Sequence, residues 1–399
     1  MKRCHLLLLL GCCLHSPATD FSVTKIPALE QLPVNAIHRI FQDSEGYMWY
    51  GTVNGLCRDD GYRVRTFRSD FHTPGLLRDN LIAGITEDQK GRIWFTTNSG
   101  AYILDKKDYR IREVNHRLTK EHRVEHIFTT RDGSVWMGVE GSLLRFLPGM
   151  FCREYPLQTA SGKPGELAGF CEDRRGRLLV TLKQGGVCLY DPAEDKLVNL
   201  TGNLPASTGT IRQDETGDHY WLATWGKGIA RLTVDSTEAT VSYPVPIPKD
   251  KVIFLAQRDN ILWATSSESL LMYEIRDGMA SPKKTPQLFP QKMMLNEITK
   301  DRHGDLWVSA FDCPSFIIHF SDGTPAPLGL PALQERCGYR PAIMALCPAG
   351  SGQNLFWLFQ EREGLFLYDL KEERIVAQLS SRQLEYVKIM EKSIAKDEI

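Results

Sequence analysis

Trp225 is the residue of this sequence whose type and setting point most directly to binding chemistry. It is one of eight tryptophans and lies in the short segment TWGKG, outside the slot that the other seven share. An aromatic plane flanked by polar groups suits a sugar, because one sugar face stacks on the ring while the hydroxyl groups form hydrogen bonds. The alternative is that Trp225 contacts a neighbouring structural unit, and the sequence leaves both interpretations open.

Further polar side chains are expected on the same surface as Trp225. They lie in loops that enter the first strand of each repeat described below, or in turns between the second and third strands. Loops on a rigid scaffold commonly carry recognition. The predicted ligand-binding residues are Asn54, Arg78, Asn80, Arg123, Trp225 and Lys227, with Arg123 reading the charge of an acidic ligand. The same surface is predicted to include Asn35, Asp79, Asn98, His122, Glu140, Gln184, Glu268, Asp312, Glu361 and Arg362.

Catalytic and metal-binding motifs are missing from the sequence. It contains no G-x-S-x-G, H-E-x-x-H or phosphate-binding G-x-x-x-x-G-K-[ST] pattern. His122 and His126 have a spacing that would chelate a metal on a helix, but on the strand predicted there they would lie roughly 13 Å apart. The sequence therefore predicts no catalytic residue, no metal site and no cofactor, and a hydrolase or lyase is kept only as the last alternative.

The candidate residues are positioned by a repeat that occurs eight times. Its first copy is FQDSEGYMWYGTVNGLCRDD, residues 41–60. The repeat slot holds Trp49, Trp94, Trp136, Leu179, Trp221, Trp263, Trp307 and Trp357, at steps of 42 to 50 residues. A period of this size with several short strands per unit predicts an all-β fold, a β-propeller of four-stranded blades.

Local pattern predicts the strands and turns of each blade. The strands of the first repeat are predicted at Ala36–Phe41, Met48–Thr52, Leu56–Asp59 and Arg63–Phe67. Asp43 and Gly46 predict the first turn, since Asp bonds back to the backbone and Gly accepts positive φ. Asn54-Gly55 predicts a hairpin turn. The repeated tryptophans are expected to pack between neighbouring blades, and the Asp turns to be structural.

The composition and the N-terminal segment limit the cellular location and the partners that the protein can have. The net charge of −1, with 24% charged and 42% hydrophobic residues, gives no indication of a nucleic-acid partner. Residues 1–18 read as a signal peptide, with a basic start, the apolar run Leu6–Leu10 and small residues at Ser16 and Ala18. The sequence therefore predicts export to the periplasm, with a lipid anchor at Cys12 as the weaker alternative.

Cysteines and basic residues add two minor expectations. Seven of the ten cysteines lie beyond the signal segment, and this odd number without paired spacing predicts free thiols rather than a disulfide framework. The run Lys106–Arg123 holds nine basic residues against three acids and is predicted to be a solvated outer strand and loop. Its alternative role is to attract an acidic glycan.

The repeats resemble the two-component regulator propeller repeats of periplasmic sensors in hybrid two-component systems of gut Bacteroidetes. The resemblance rests on QDSEGYMWYGTVNGLCRDDGY and WLATWGKGIARL and extends from Leu32 to about Leu379. It implies two seven-bladed propellers, a β-sandwich, a membrane helix and kinase modules, in a sensor of oligosaccharides. The expected partners are thus an oligosaccharide, including acidic ones, and a downstream propeller, β-sandwich and kinase region; a homodimer is left open.

The chain departs from that plan because it holds eight repeats and no kinase motif. We expect a seven-bladed propeller over residues 19–330, with 331–399 forming an eighth repeat and the start of a truncated second propeller. An eight-bladed closed ring is the alternative. The function expected from the resemblance is a ligand-sensing propeller that acts in signal transduction. The alternative is an interaction scaffold, since fold does not fix function.

Overall fold

The computed structural model describes residues 21–320 except 74, 203, 206, 244–251, 267–268, 284–293 and 312–313. Beyond 320 it describes 336, 345–348, 355–360, 364–369, 372 and 374–380. The chain divides into two compact units, residues 1–320 and 321–399. The predicted signal peptide lies outside the described residues, and the domain boundary near residue 330 stays a prediction.

The described part of the chain is almost entirely β-strand, in eight separate sheets. The strands of the first four sheets are β2 (Ile37–Gln42), β3 (Met48–Thr52), β4 (Gly55–Asp59), β5 (Val64–Phe67), β6 (Ile82–Glu87), β7 (Ile93–Thr97), β8 (Gly100–Leu104), β9 (Ile111–Glu113), β10 (Val124–Thr129), β11 (Val135–Val139), β12 (Ser142–Phe146), β13 (Cys152–Pro156), β14 (Leu167–Glu172), β15 (Leu178–Leu182), β16 (Val187–Asp191) and β17 (Lys196–Asn199). The other four sheets contain β1 (Phe21–Lys25), β18 (Thr201–Gly202), β19 (Thr208–Gln213), β20 (Tyr220–Thr224), β21 (Gly228–Asp235), β22 (Glu238–Ser242), β23 (Val252–Arg258), β24 (Ile261–Ser266), β25 (Leu270–Arg276), β26 (Met279–Lys283), β27 (Leu295–Lys300), β28 (Leu306–Ala310), β29 (Phe316–Phe320), β30 (Ala345–Pro348), β31 (Leu355–Gln360), β32 (Gly364–Asp369) and β33 (Arg374–Leu379). This architecture confirms the predicted all-β propeller fold.

Each sheet is an antiparallel meander of one repeat, with two additions. The short strand β18 joins the outer edge of the fifth sheet in parallel with β22. The N-terminal strand β1 pairs antiparallel with β29 at the edge of the seventh sheet. That pairing covers an edge that would otherwise present unpaired backbone groups.

The turn between the first two strands depends on one aspartate with two functions. In the first repeat Asp43 Oδ1 accepts hydrogen bonds from the backbone of Glu45 and Tyr47, each at 3.0 Å. Gly46 has φ +96°, which a residue with a side chain rarely adopts. The second oxygen, Oδ2, accepts the indole N–H of Trp49 at 2.9 Å. The predicted structural role of these turns is confirmed, and the turn also fixes the tryptophan.

The repeated tryptophans pack between neighbouring sheets, as predicted. Trp49 is fully buried and packs against Ile82, Ile93 and Phe95 of the second sheet. Trp94 packs in the same way against Val135 and other residues of the third. These contacts couple each sheet to the next.

A second inter-sheet contact comes in four of five cases from the residue that precedes the turn aspartate, and in the fifth case from Gln257, which is followed by Arg258. In each case the side chain accepts a hydrogen bond from the backbone of the preceding sheet's turn. The donor nitrogen and acceptor pairs are Ser44 and Glu87, Arg131 and Glu172, Arg174 and Gln213, Glu215 and Gln257, and Arg302 and Gln42. We call these bonds the turn clasps.

The last clasp joins the seventh sheet to the first. The backbone N–H of Arg302 donates to Gln42 Oε1 at 2.9 Å, and Asn296 Nδ2 donates to the carbonyl of His38 at 2.6 Å. Ile317 and Trp307 pack with Tyr50 in one apolar cluster. The first sheet therefore contacts the seventh directly, while the number of blades in the closed ring stays a prediction.

The second unit contains the sheet β30-β31-β32-β33, in chain order. Leu358, Phe366 and Tyr368 are fully buried there, and Trp357, in the repeat slot, is half-buried. The eighth repeat thus forms a four-stranded sheet of the same kind as the other seven.

Among the described residues up to 320, helical structure is limited to two single turns. One is a 3-10 turn at Pro27–Gln31, and the other is α1 at Arg117–Glu121. The prediction of only an outer strand and loop over Lys106–Arg123 was wrong in this respect, since α1 follows strand β9 there. His122 therefore lies at the end of α1 rather than on a strand. In the described residues no helix has the length and apolar character needed to cross a membrane.

The structure describes the side chains of four cysteines. Cys57, Cys152, Cys171 and Cys188 are all free thiols, as predicted for them. Cys171 and Cys188, on the first and third strands of the fourth sheet, are buried among apolar side chains. They act there as small apolar residues.

Candidate functional site

The first strand of each sheet in the first unit lines the axis of the propeller. Neighbouring first strands contact one another in turn from β2 through β6, β10, β14, β19, β23 and β27 back to β2. Where these strands begin, a central cavity of about 360 Å³ opens. Its wall takes residues from all seven sheets: His38, Arg39, Leu81, Ala83, Arg123, Glu125, His126, Ala168, Lys183, Thr208, Gly209, Thr210, Trp225, Ile253, Phe254 and Asn296.

A second concavity, the lateral groove, lies between the third and fourth sheets. It measures about 650 Å³ and is lined by His122, Arg123, Glu125, Gly138, Val139, Glu140, Gly141, Leu157, Pro164, Gly165, Glu166, Leu167 and Gln184. Arg123 and Glu125 line both the groove and the central cavity. The two spaces are therefore adjacent, and each falls in the size range of small-molecule sites.

An ionic network forms the boundary between the cavity and the groove. Lys183 Nζ contacts Glu125 and lies 3.3 Å from a carboxylate oxygen of Glu166. Arg123 Nε lies 3.4 Å from Glu125 Oε1, and its side chain is 57% exposed. Burial alone would raise the pKa of Glu125, but the Lys183 ammonium outweighs burial and holds this pKa below its usual range. Glu125 is thus an anion held between two cations.

The histidines of the cavity are neutral at physiological pH. Burial lowers the pKa of His126 to about 3, and the positive charge of Arg39 adds to this effect. The pKa of His38 is also lowered, first by burial and then by Arg39 and Arg123. Each imidazole therefore offers one hydrogen-bond donor and one acceptor rather than a charge.

Two of the six predicted binding residues lie at the central cavity. Arg123 and Trp225 both line it, from the third and fifth sheets. Trp225 is 40% exposed, in contrast to the fully buried slot tryptophans Trp49, Trp94, Trp136, Trp221 and Trp263. The structure therefore brings together the predicted aromatic surface and the predicted charged residue.

The other four predicted residues do not line the central cavity. Asn80 is occupied within its own loop, because its side chain exchanges two hydrogen bonds with the backbone of Ser69, at 2.8 and 2.9 Å. Arg78 forms an ion pair with Glu113 at 3.1 Å and donates to a carbonyl of α1. Lys227 Nζ lies 5.7 Å from the ring centre of Tyr243. Asn54 forms a hairpin turn in which its backbone N–H donates to Thr52 Oγ1.

Seven of the ten other residues predicted on this surface fall in two groups. His122, Glu140 and Gln184 line the lateral groove, and His122 Nδ1 contacts the carboxylate of Glu140. Glu268, Asp312, Glu361 and Arg362 lie outside the described residues.

Sequence reasoning missed the polar side chains inside the first strands. His38, Arg39, Glu125 and His126 interrupt strands whose other inward positions are apolar or small. The signal was present, since two adjacent polar residues are unusual in the innermost strand of a blade. It was missed because only loops and turns were examined for recognition.

Several solved structures share this fold. The extracellular domain of a B. thetaiotaomicron protein described as a hybrid two component system is 16% identical, with 90% of this chain and 49% of that chain covered and a TM-score of 0.60. A second such extracellular domain from the same organism is 14% identical, with 88% of this chain and 46% of that chain covered and a TM-score of 0.61. This chain thus spans about half the length of those two domains.

A shorter propeller, the virginiamycin B lyase of Staphylococcus aureus, is also similar. It is 16% identical, with 76% of this chain and 99% of that chain covered and a TM-score of 0.61. At this identity the likeness shows the fold alone. None of the curated proteins matches the sequence.

The sequence itself carries a family match within the first repeat. Residues 31–54 match the model described as two component regulator propeller. These residues include the turn of Asp43, the clasp residue Gln42 and the packed Trp49, which are the features that build each blade. The match confirms the predicted resemblance: this chain carries the two-component regulator propeller repeat.

Proposed function

We propose that this chain is a periplasmic sensor propeller of a hybrid two-component system and that its central cavity binds an oligosaccharide. The observation that carries the proposal is the composition of the cavity wall. It combines the half-exposed ring of Trp225 with neutral imidazoles, hydroxyl groups, an amide and cations that converge from seven sheets. Such a wall offers a stacking surface and many hydrogen-bonding partners for hydroxyl groups.

The adjacent lateral groove supports an oligosaccharide rather than a single sugar. A chain whose end unit occupies the cavity could continue past Arg123 and Glu125 into the groove, because both residues line both spaces. Three glycines, Gly138, Gly141 and Gly165, line the groove between the third and fourth sheets. In this proposal the chain binds and signals and has no catalytic role.

The signalling part of the proposal rests on the family match and on the expected export. The ligand would act on a membrane partner that supplies the second propeller, the β-sandwich and the kinase. Fractionation of cells expressing the full sequence tests the location: we expect the protein in the periplasm, and retention in the cytoplasm would contradict the proposal.

Calorimetric titration of the purified protein with a panel of oligosaccharides tests the ligand class. We expect one glycan class to bind, and Trp225→Ala to weaken that binding by about tenfold or more, since stacking of an aromatic ring contributes on the order of 1 kcal/mol. The control is Tyr62→Ala, which removes an aromatic ring that is 88% exposed and outside both concavities. Equal affinity in the two variants would place the ligand elsewhere.

A further inference from the structure

Arg39 occupies an unusual position for a charged residue, in the innermost strand of the first sheet. Its side chain lines the central cavity, and its guanidinium carbon lies 5.6 Å from the ring centre of Phe254, on the sixth sheet. Arg39 also lowers the pKa of His126, on the third sheet. A group that acts on the third and sixth sheets at once lies near the axis of the ring.

The guanidinium of Arg39 has little compensation by negative charge. Nη1 donates to the carbonyl of His38 at 2.8 Å. Within the described residues no carboxylate oxygen lies within the 4.0 Å that defines an ion pair with it. The carboxylate Glu297 shares the channel, but Oε2 accepts the backbone N–H of Ile40 at 2.8 Å, and burial raises its pKa.

The other charges of the wall do not neutralise Arg39 either. Glu125 is the single carboxylate among the residues that line the cavity, and it is shared by Arg123 and Lys183. Arg212, on the same strand as Thr210 of the fifth sheet, adds a positive charge that acts on Glu297. In a partly desolvated channel, an excess of cations favours an anion strongly, because the effective dielectric constant is low.

The wall also includes apolar side chains. Trp225, Ile253 and Phe254 of the fifth and sixth sheets line it together with Ala168 of the fourth, and the guanidinium of Arg39 lies over the Phe254 ring. A ligand in the cavity would thus meet both apolar surface and a guanidinium that has no ion-pair partner among the described residues. This combination suits a sugar ring that bears one anionic substituent.

We propose that the central cavity selects saccharides that carry an anionic group, with Arg39 binding the carboxylate or sulfate and Trp225 packing on the ring. This inference rests on the proposed function and makes it more specific. A guanidinium binds a carboxylate or sulfate through two parallel N–H bonds, a geometry that a lysine cannot reproduce.

The test compares ligands that differ in charge alone. Calorimetry is carried out with a galacturonic acid tetramer, its methyl-esterified form, a neutral galactose tetramer and a sulfated galactose tetramer. We expect the acid to bind and its ester to bind at least tenfold more weakly, with added salt reducing the affinity for the acid. The sulfated sugar shows whether the cavity takes sulfate as well as carboxylate.

Substitutions assign the effect to the cavity. Arg39→Gln is expected to weaken binding of the anionic tetramer by about 10- to 100-fold, as loss of a charge-assisted hydrogen-bond pair does. Arg39→Lys keeps the charge and should recover only part of this loss. The control is Arg110→Gln, which makes the same change in net charge at a side chain that is 83% exposed and outside the cavity.

The outcomes separate the two proposals. Equal binding of the acid and its ester, or unchanged affinity in a folded Arg39→Gln variant, overturns the anionic selection. If Arg39→Gln does not fold, the affinity of the Arg39→Lys variant and the comparison of the acid with its ester test the anionic selection instead. Binding of the neutral tetramer alone, lost in Trp225→Ala, keeps the oligosaccharide sensor and rejects the anionic ligand. No binding by any of the four rejects both.

Discussion

The turn aspartate shows how one side chain can set both a loop and a core residue. One carboxylate oxygen organises the turn and the other accepts the indole N–H of the tryptophan six or seven residues later. The fourth repeat has Leu179 in the tryptophan slot, and there Tyr220 of the fifth sheet donates its hydroxyl to Asp173 Oδ2 at 2.7 Å. In the third repeat Thr130 replaces the aspartate and accepts from Trp136 at 3.1 Å. In these two repeats the lost partner is therefore replaced from a neighbouring position.

Truncation of a slot tryptophan should be costly. Trp94→Ala and Trp136→Ala are expected to lower the free energy of unfolding by about 3–5 kcal/mol, because each removes a buried aromatic ring from a close-packed contact between sheets. Trp225→Ala should cost much less, since 40% of this residue is exposed. Urea denaturation followed by fluorescence measures all three, and equal losses would show that Trp225 is a packing residue.

His126 should make stability depend on pH. Its pKa is about 3 in the folded protein and 6.5 when unperturbed, so folding favours the neutral ring. The stabilisation is fully present above about pH 6.5 and is lost as the pH falls from 6.5 towards 3. In urea titrations across this window, His126→Gln should show a weaker pH dependence than the unmodified protein. Identical slopes for the two proteins would mean that folding leaves the pKa of His126 unchanged.

At the scale of the element, the residue before the turn aspartate connects two sheets. Its position at the end of a strand does not suggest this function. The repeat reads Q/E-D, and the Gln or Glu accepts a backbone N–H from the turn of the preceding sheet. Lys106 reinforces one such junction, since its ammonium lies within 3.2 Å of Asp43, Glu45 and Glu87. The polar ends of the first strands are thus intersheet contacts.

Removal of a clasp should destabilise the ring modestly. Gln42→Ala leaves the backbone N–H of Arg302 without its partner at the junction of the first and seventh sheets, at an expected cost of about 1 kcal/mol. Gln158→Ala, at an exposed glutamine of the third-to-fourth sheet connection, is the matched control. Thermal unfolding compares the two, and a midpoint for Gln42→Ala equal to that of the control would show that the clasp contributes nothing.

Much of each element could be predicted from the sequence. Met48–Thr52 was predicted with both ends correct, because the Asp43 turn and the Asn54-Gly55 turn bound it on each side. The α1 turn was missed because it is short and follows a charged segment that lacks helical periodicity. The cavity wall was missed because the pattern of a single strand shows only which side chains point to the same face of its sheet. That the first strands of different sheets surround one axis becomes visible only in the closed ring.

At the scale of the whole molecule, the strand β1 connects the beginning of the first unit to its end. Phe21 packs edge-on against Trp263 with 5.5 Å between ring centres, and Thr24 Oγ1 lies 2.8 Å from His319 Nε2. Deletion of residues 21–25 would expose the edge of β29 and part of this aromatic cluster. We expect a lower unfolding midpoint and self-association of the variant, measured by calorimetry and light scattering.

The control for that deletion is Phe21→Ala, which keeps the backbone pairing of β1 and removes only the ring. It should lower the midpoint without association, because the edge of β29 stays covered. A deletion variant that stays monomeric and as stable as the unmodified protein would show that β1 is dispensable.

The pairing of β1 with β29 also sets an order of events for a chain that is synthesised from its N-terminus. Thr24 and His319 are 295 positions apart, so the strand that emerges first must wait for nearly the whole unit before its partner exists. Contacts of such sequence separation form slowly, because a long loop must close before they contribute. The earlier sheets can form while the chain is still emerging. The seventh sheet cannot form until nearly the whole unit has been made. Until then its unpaired edge is the place where a chaperone or an unrelated strand would compete for the newly made protein.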